Sequence, residues 1–324
     1  MELFVKDRKT FATKFSGLIL DYEVKPSIYD TVSTYTIPSD KVPNEGDFVY
    51  DEDTGFIGVV SAVNTDEKIS TLSVNQIHTL FNRKIIYVDA SYTYLEDYLK
   101  SLIDTNFTNC ADSFYEMPFL NVTANTQTSS TIIPDVEQYA FSVSSFMAKA
   151  RRIKAVFCNF SINRTQLNIE ITTRQNPVKN IDFSNPSFRI IEQNFSKKMI
   201  SKITSYCEEN SQVQNWVLLN DGSIVNTTPS TGRVDGEWTT LVVRTAAEVQ
   251  DSVNNEFSKN YYSHNITFQC PLSYGFQLYD NLQIKIGNKI FTSYVAQLRQ
   301  WKNSKIQEVQ CGELQTKYPY IDLI

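Results

Sequence analysis

Between residues 42 and 88 apolar and polar positions alternate in short blocks. Gly46-Asp47 is a turn signal, Phe48 and Tyr50 alternate with Asp47 and Val49, residues 51–55 form a polar loop ending in glycine, and 56–63 are apolar. Residues 64–68 are a second polar turn, after which Ile69, Leu72 and Val74 open another strand. β-Branched and aromatic runs bounded by turn residues predict an antiparallel meander. Gly58, inside the second strand, predicts a bulge or tight bend of the kind small closed barrels need. Upstream, Leu18, Leu20 and Tyr22 alternate, as do Tyr29, Val32 and Tyr35 less strictly. Two strands therefore feed the meander, with Pro38 or Pro43 near a strand end. Residues 1–88 read as a first barrel.

At Ser91 the period changes. Tyr94, Leu95, Tyr98, Leu99, Leu102 and Ile103 share one helical face, and Thr93 with Glu96 has the spacing of a capping box, so a domain boundary falls near Asp89. Residues 106–134 read as polar and irregular. A helix follows over 135–152, with Tyr139, Val143, Phe146 and Met147 on one side. Residues 153–160 read as a strand, 161–164 as a turn, and Leu167, Ile169 and Ile171 as the return strand. Residues 89–185 thus read as a central α+β domain. Beyond it, strands are predicted over 199–206, 213–219, 223–226 and 239–243. Asn220-Asp221-Gly222 reads as a type I′ hairpin turn. Thr245 and Glu248 are spaced as a second capping box, and Val249, Val253 and Phe257 predict a helix inserted at about 245–260.

The late segment 279–310 repeats the pattern of the opening meander: a strand (Leu282, Ile284, Ile286), a turn at Gly287-Asn288, a long strand over 290–298, a polar turn over 302–305 and a third strand over 306–309. Residues 186–324 are read as a second barrel domain. The fold class expected is α+β, mostly β: two small antiparallel β-barrel domains with an intervening α+β domain and a few short helices.

Composition narrows the function classes. The chain has 324 residues, enough for more than one domain. A net charge of -6 argues against a nucleic-acid binder that works by neutralising phosphates. Tyr (18) and Phe (20) are abundant while Gly and Pro number 10 each, which fits β structure with large contact surfaces. Cys110, Cys158, Cys207, Cys270 and Cys311 are far apart with no CxxC pair and read as reduced, buried thiols. No apolar run has the length of a signal peptide or membrane helix, so synthesis in a cytoplasm without membrane insertion is expected. Asn121, Asn163 and Asn265 head chance glycosylation matches.

A search for chemistry finds scaffold. His78 and His264 are the only histidines, and neither has a second His at metal spacing. Residues 51–55 resemble half of a calcium loop but lack the later bidentate Glu, so a solvated turn is expected. Asp221-Gly222 and Asp235-Gly236 read as turn chemistry. There is no phosphate-loop, dinucleotide or G-x-S-x-G motif. Lys149, Arg151, Arg152 and Lys154 cluster at a helix end, where the helix C-terminus accounts for them; the functional reading is a surface for an acidic partner. Trp216, Trp238 and Trp301 could line a sugar groove, with core or interface packing the simpler use. No catalytic, cofactor-binding or metal-binding residue is assigned.

The segments Gly46-Asp47-Phe48-Val49 and Gly55-Phe56-Ile57-Gly58-Val59-Val60, the passage from Ile85-Ile86-Tyr87 into the helix ending at Ile103, the run from Trp216 to Ile224, and Gly287 with Tyr294-Val295 together resemble baseplate or tail hub proteins of tailed phages and contractile injection systems. The resemblance implies a non-enzymatic virion protein with two barrels per subunit and assembly as a homotrimeric ring. It implies a sixfold tail tube or distal tail protein above, a threefold spike or tail fibre below, and DNA passing through the lumen without specific binding. Synthesis in the host bacterial cytoplasm and residence in the virion tail follow. The alternative is a tail protein that binds carbohydrate or degrades cell wall.

Overall fold

A computed structural model describes residues 2–29, 31–86, 92–130 and 140–312. The chain forms two compact units: Met1–Pro177 with Pro271–Asp280 and Ala296–Val309, and Val178–Cys270 with Asn281–Val295 and Gln310–Ile324. In chain order the first unit contains β1 (Glu2–Lys6), β2 (Thr13–Leu18), β3 (Asp21–Val24), β4 (Val32–Pro38), β5 (Phe48–Asp51), β6 (Phe56–Thr65), β7 (Ile69–Gln76), β8 (Lys84–Ile86), α1 (Leu95–Ile103), β9 (Leu120–Ala124), β10 (Ala140–Ser142), α2 (Val143–Lys154), β11 (Val156–Asn163) and β12 (Gln166–Thr173). The second contains β13 (Val178–Asp182), β14 (Arg189–Lys198), β15 (Ile200–Cys207), β16 (Gln212–Leu218), β17 (Ile224–Val225), β18 (Glu237–Val243) and α3 (Val249–Ser258). β19 (Tyr261–Pro271), β20 (Asn281–Ile286), β21 (Lys289–Trp301) and β22 (Ile306–Cys311) complete the chain. The mostly-β, α+β class expected from the sequence is the class found.

In the first unit a barrel closes through one bent segment. β2 pairs with β1 while β3, just after it, pairs with β4, and the order β1–β5–β6–β7–β4 completes the ring. Inside lie Leu3, Val5, Ile19, Tyr22, Val24, Tyr35, Ile37, Val49, Phe56, Val60, Leu72 and Val74. A ring of this kind leaves few open edges. The inward residue of the bent segment is Ile19, at 0% exposure, whereas Leu18 is 58% exposed. The predicted alternation of Leu18 and Leu20 thus took the outward face for the inward one. Gly58 also has a different role from that expected. The register shift lies between Val60 and Ala62, and Gly58 is where β7 comes closest.

Still in the first unit, α1 buries Leu95, Tyr98, Leu99, Leu102 and Ile103 against Leu167, Ile169 and Ile171 of β12 and against α2, in a core that also takes Phe11, Phe48, Ile77 and Phe81. Lys6, 4% exposed, donates to the Arg164 carbonyl (2.6 Å) from beside the Phe11 ring. Several local expectations are corrected. Residues 120–124, read as irregular, are β9, parallel to β12. Of the predicted 135–152 helix, 135–139 lie outside the described residues, 140–142 form β10 paired to β8, and the helix starts at Val143, where Ser142 accepts the Ser145 N–H (3.1 Å). β11 runs on through Ser161 and Ile162, so its turn is at 164–165. His78 sits in a 3-10 turn, not a strand. Neither capping box forms. Tyr94 caps α1 and Thr245 caps the turn before α3, both without a side-chain bond, and the Ala246 N–H in that turn is taken by Glu209 Oε2 (2.8 Å).

In the second unit β13 pairs in parallel with β20, β20 with the start of β21, and β14 with β19. The sheet β17–β16–β15–β18 carries α3 on one face over Ile203, Cys207, Trp216 and Leu218. The hairpin at Gly222 is not type I′. Among its turn residues only Gly222 has positive φ (87°), and the Asn220 N–H is drawn to the Gly232 carbonyl (2.9 Å). A type I turn followed by a left-handed glycine is the next most common solution. Gly236, read as turn chemistry, has no positive φ and instead lets Met199 approach. β20 pairs with β21 in antiparallel register, as β5 does with β6.

Candidate functional site

Asp47, Asp51 and Glu96 are buried carboxylates held by hydrogen bonds within the fold. Asp51 is fully buried at the end of β5, where it accepts from Tyr35 Oη (3.2 Å), Thr54 Oγ1 (2.8 Å) and the Asp53 N–H (3.1 Å). The turn itself is solvated as expected, with Glu52, Asp53 and Gly55 exposed, and only Asp51 at its start is buried. Its first carboxylate is a buried strand-end lock, and burial followed by the Asp51 charge pushes the Tyr35 hydroxyl well above its ordinary pKa. Asp47 is likewise buried and takes Lys14 Nζ (2.8 and 2.9 Å) and the Asn44 N–H (2.8 Å). Among the described residues no group of His, Cys, Asp and Glu could hold a metal ion.

A densely bonded carboxylate is Glu96, at 0% exposure. Its Oε1 accepts from Thr126 Oγ1 (3.1 Å), the Thr128 N–H (3.2 Å), Thr128 Oγ1 (3.3 Å), the Ser129 N–H (3.3 Å) and Thr173 Oγ1. Since Thr173 spends its one proton on Glu96, Ser129 Oγ must donate to Thr173 Oγ1 across 3.0 Å. Burial pushes the carboxyl up, but the hydrogen bonds, Thr173 first, outweigh it and hold the group below the usual Glu value.

The two histidines lie apart in the chain and in different units. His78 lines a cleft of the first unit. In the second unit His264 is 5% exposed, stands edge-on to Phe291, and accepts from Gln193 Nε2 through Nε2 (2.6 Å), which puts its proton on Nδ1. Burial lowers its pKa. A buried neutral imidazole stabilises the fold fully above its unfolded pKa of about 6.5, and that contribution is lost as pH falls through the lower folded value. We therefore expect the urea midpoint of wild type to exceed that of His264→Gln at pH 7.5, with the gap narrowing towards pH 5. A gap constant with pH would contradict this.

The tryptophans do not line one groove. Trp216 is in the core, its Nε1 donating to Ser205 Oγ (2.9 Å), and Trp301, in the first unit, donates to Glu23 Oε1 (3.2 Å). Trp238 is 66% exposed on the face of its sheet opposite α3, in register with Lys202, whose Nζ lies 4.0 Å from its ring. Tyr206, Val213 and Val242 lie on the same exposed face. Of the cysteines, 207, 270 and 311 are buried as expected, while Cys110 and Cys158 are only half-buried.

The first unit carries a cleft of about 550 Å³ between the 3-10 turn at Ile77, α2, β11 and the segment 276–279. Arg151 of α2 forms part of its wall. Sequence reasoning placed Arg151 at the helix C-terminus, but its guanidinium lies 4.4 Å from the Phe157 ring centroid and 3.8 Å from that of Tyr279, and its Nη2 donates to the Leu278 carbonyl (2.6 Å). Tyr279 holds φ +68°, unusual for an aromatic, with its carbonyl taken by Asn176 Nδ2 (2.8 Å). Burial lowers the guanidinium pKa to about 10. The adjacent Cys158 thiol is pushed up to about 12 by burial, against the pull of Arg151.

No family model matches the sequence, and no curated protein matches it. Solved structures do. A chain of the phage P2 baseplate in its activated conformation superposes with a TM-score of 0.61 at 11% identity, covering 98% of this chain and 99% of that one. A topological model of the P2 virion baseplate gives 0.60 at 11% identity, covering 96% and 98%. A prophage tail protein of Listeria monocytogenes EGD-e gives 0.52 at 10% identity, covering 96% and 94%. The likeness read from the sequence is thereby matched in three dimensions: along nearly its whole length this chain has the fold of phage baseplate and tail proteins.

Proposed function

We propose that this chain is a structural protein of a phage-type tail or baseplate, a hub that closes as a homotrimeric ring. In this reading it joins a tail tube or distal tail protein on one side to a threefold spike or fibre on the other. It resides in the virion after synthesis in the host cytoplasm. The observation that carries the reading is the extent of the fold match, 98% of this chain against 99% of the P2 baseplate chain. Two features support it. Buried carboxylates are used to lock loops to strands, the economy of a rigid part. The net charge of -6 suits a lumen through which DNA slides without sticking.

Light scattering over a concentration series tests it. One subunit is 37.2 kDa, so three would give about 112 kDa. We expect that mass to persist on dilution, as an obligate interface of thousands of Å² requires. A monomer at every concentration, combined with saturable binding of cell-wall glycan or its hydrolysis, would replace the hub with the carbohydrate-directed alternative.

A further inference from the structure

In the second unit, β18 is an open strand edge. It ends the β17–β16–β15–β18 sheet, and among the described residues no strand lies against its other side. Its pairing with β15 is parallel. The Glu237 N–H donates to the Met199 carbonyl (2.8 Å), and the Val243 carbonyl accepts the Glu208 N–H (2.9 Å), so residues 237 and 243 face inwards along the sheet. Strand alternation then turns the N–H and C=O groups of Trp238, Thr240 and Val242 to the free edge. Folded proteins guard such edges with charge, proline, a bulge or brevity. The edge strand β14 has a register shift after Ile190, and the edge strand β13 is five residues long and carries Lys179 and Asp182. Residues 238–243 of β18, Trp-Thr-Thr-Leu-Val-Val, contain no charge, proline or glycine, and their register with β15 is unbroken. The side chains of Trp238, Thr240 and Val242 are exposed, and Trp238 Nε1 donates to Thr204 Oγ1 (2.9 Å), which fixes the ring on the sheet.

We propose that this edge is closed by β18 of a second copy of the chain, antiparallel about a twofold axis at Thr240. In that register Thr240 stands opposite Thr240, and each Trp238 stands opposite a Val242. Thr–Thr and aromatic–β-branched pairs are both favourable across antiparallel strands. The outward N–H and C=O groups of the two strands then satisfy one another, and two four-stranded sheets become one. The strand ends match in charge. Glu237 opens the strand and Arg244 follows it, both exposed, so antiparallel pairing brings the acidic end of one copy to the basic end of the other. A parallel self-pairing would instead set Glu237 against Glu237 and Arg244 against Arg244, and like charges placed opposite each other are destabilising. The contact goes beyond the hub reading and does not rest on it. A ring of three copies contains no twofold axis, so the contact joins subunits of two rings, or two free subunits. A single strand pair is much smaller than an obligate interface, so it comes apart on dilution while a ring persists.

The test uses the full chain. One subunit is 37.2 kDa, so Thr240→Cys under mild oxidation is expected to give a disulfide-linked pair of about 74 kDa on a non-reducing gel. Directly opposed residues of this kind stand about 5.5 Å apart at Cα, within disulfide reach. Val242→Cys should not link, because its counterpart lies four residues along, about 14 Å away. Wild type, with its native cysteines alone, should not link either. A charge swap checks the same position. Thr240 is exposed, so Thr240→Lys and Thr240→Glu leave the core untouched. By light scattering, wild type is expected to double its dilute mass as concentration rises. Each charged variant alone should stay at the dilute mass, and an equimolar mixture of the two should double again. No linkage of Thr240→Cys, equal linkage of Val242→Cys, no doubling of wild type, doubling that survives Thr240→Lys, or a mixture that stays undoubled would each overturn the proposal and leave the edge to a strand of another protein. The dilute mass reports the ring and the doubling reports the edge, so failure of the hub reading and failure of this contact are read separately.

Discussion

Glu96→Ala is expected to lower the stability of the first unit by about 3 kcal/mol, equivalent to a thermal midpoint on the order of 10 °C lower. The reason is the asymmetry of buried hydrogen bonding. Thr126, Thr128 and Thr173 can rotate their hydroxyls to other acceptors, but the Thr128 and Ser129 N–H groups are fixed by the backbone. The Ser129 N–H is buried and costs about 1–3 kcal/mol when left without a partner, while the Thr128 N–H belongs to an exposed residue and adds less. Glu96→Gln separates charge from geometry. The bonds converge on Oε1, while among the described residues Oε2 is reached only by the Ser129 N–H at 3.4 Å. A glutamine can place its carbonyl at the crowded position, so it should retain more than half of the lost stability. The pH dependence has a definite sign. With the folded pKa held below the unfolded value of about 4.3, the carboxylate stabilises fully above that pH, and the contribution disappears as pH falls through the folded value. Urea midpoints for wild type and Glu96→Ala should therefore converge below about pH 4. A difference constant from pH 7 to pH 3 would show that the carboxylate charge is irrelevant.

Glu96 also shows which parts of this molecule were legible in the sequence. Element type was readable wherever period and composition agreed. The β5–β6–β7 meander, the apolar face of α1, the β11–β12 hairpin and α3 all lie where alternation or helical spacing put them. What local rules could not supply was the partner of a polar side chain. Thr93 and Glu96 have the right spacing for a cap, yet a carboxylate in the first turn of a helix is also well placed to bind a passing loop, and residues 126–129 compete successfully for it. Before α3 the arrangement is the reverse, since a distant carboxylate, Glu209, reaches the Ala246 N–H of the first turn. β9 was missed because five residues, Leu120–Ala124, become a strand only through parallel pairing with β12, more than forty residues later. Arg151 was recognised as one of a basic cluster and given to its own helix end. Its actual neighbours, Phe157 and Tyr279, come from a strand and a distant loop, so no spacing rule could have joined them. The fold class was therefore accessible from pattern, and the cleft was not, because it is assembled from segments that only the tertiary structure brings together.

Gly58→Ala tests the other structural commitment, the closeness of β6 and β7 in the barrel wall. A Cβ at this position would stand 2.4 Å from Val74 Cγ1, 2.5 Å from the Asn75 carbonyl oxygen and 2.9 Å from Phe56 Cε1. The first and third contacts are side chains that could turn. The second is backbone within the ladder that pairs Gly58 with Gln76 and Val59 with Asn75, so relief means moving β7 itself. Overpacking of this kind costs about 1–3 kcal/mol where side chains can yield and more where they cannot, so a loss of about 3 kcal/mol is expected. Two companions make the result specific. Val74→Ala in the same chain removes the nearest side-chain clash and leaves the carbonyl, so the double variant should recover only part of the loss beyond what Val74→Ala costs alone. Gly55→Ala sits three residues away at φ +68° with no atom within 4 Å of the new methyl, so it should cost only the strain of a left-handed residue, about 1 kcal/mol. Equal losses at Gly55 and Gly58 would mean that β7 moves freely and that the barrel tolerates a wider β6–β7 spacing than its ladder shows. The ordering Gly58 well above Gly55, with partial rescue at Val74, would establish that this close approach fixes the geometry of the ring.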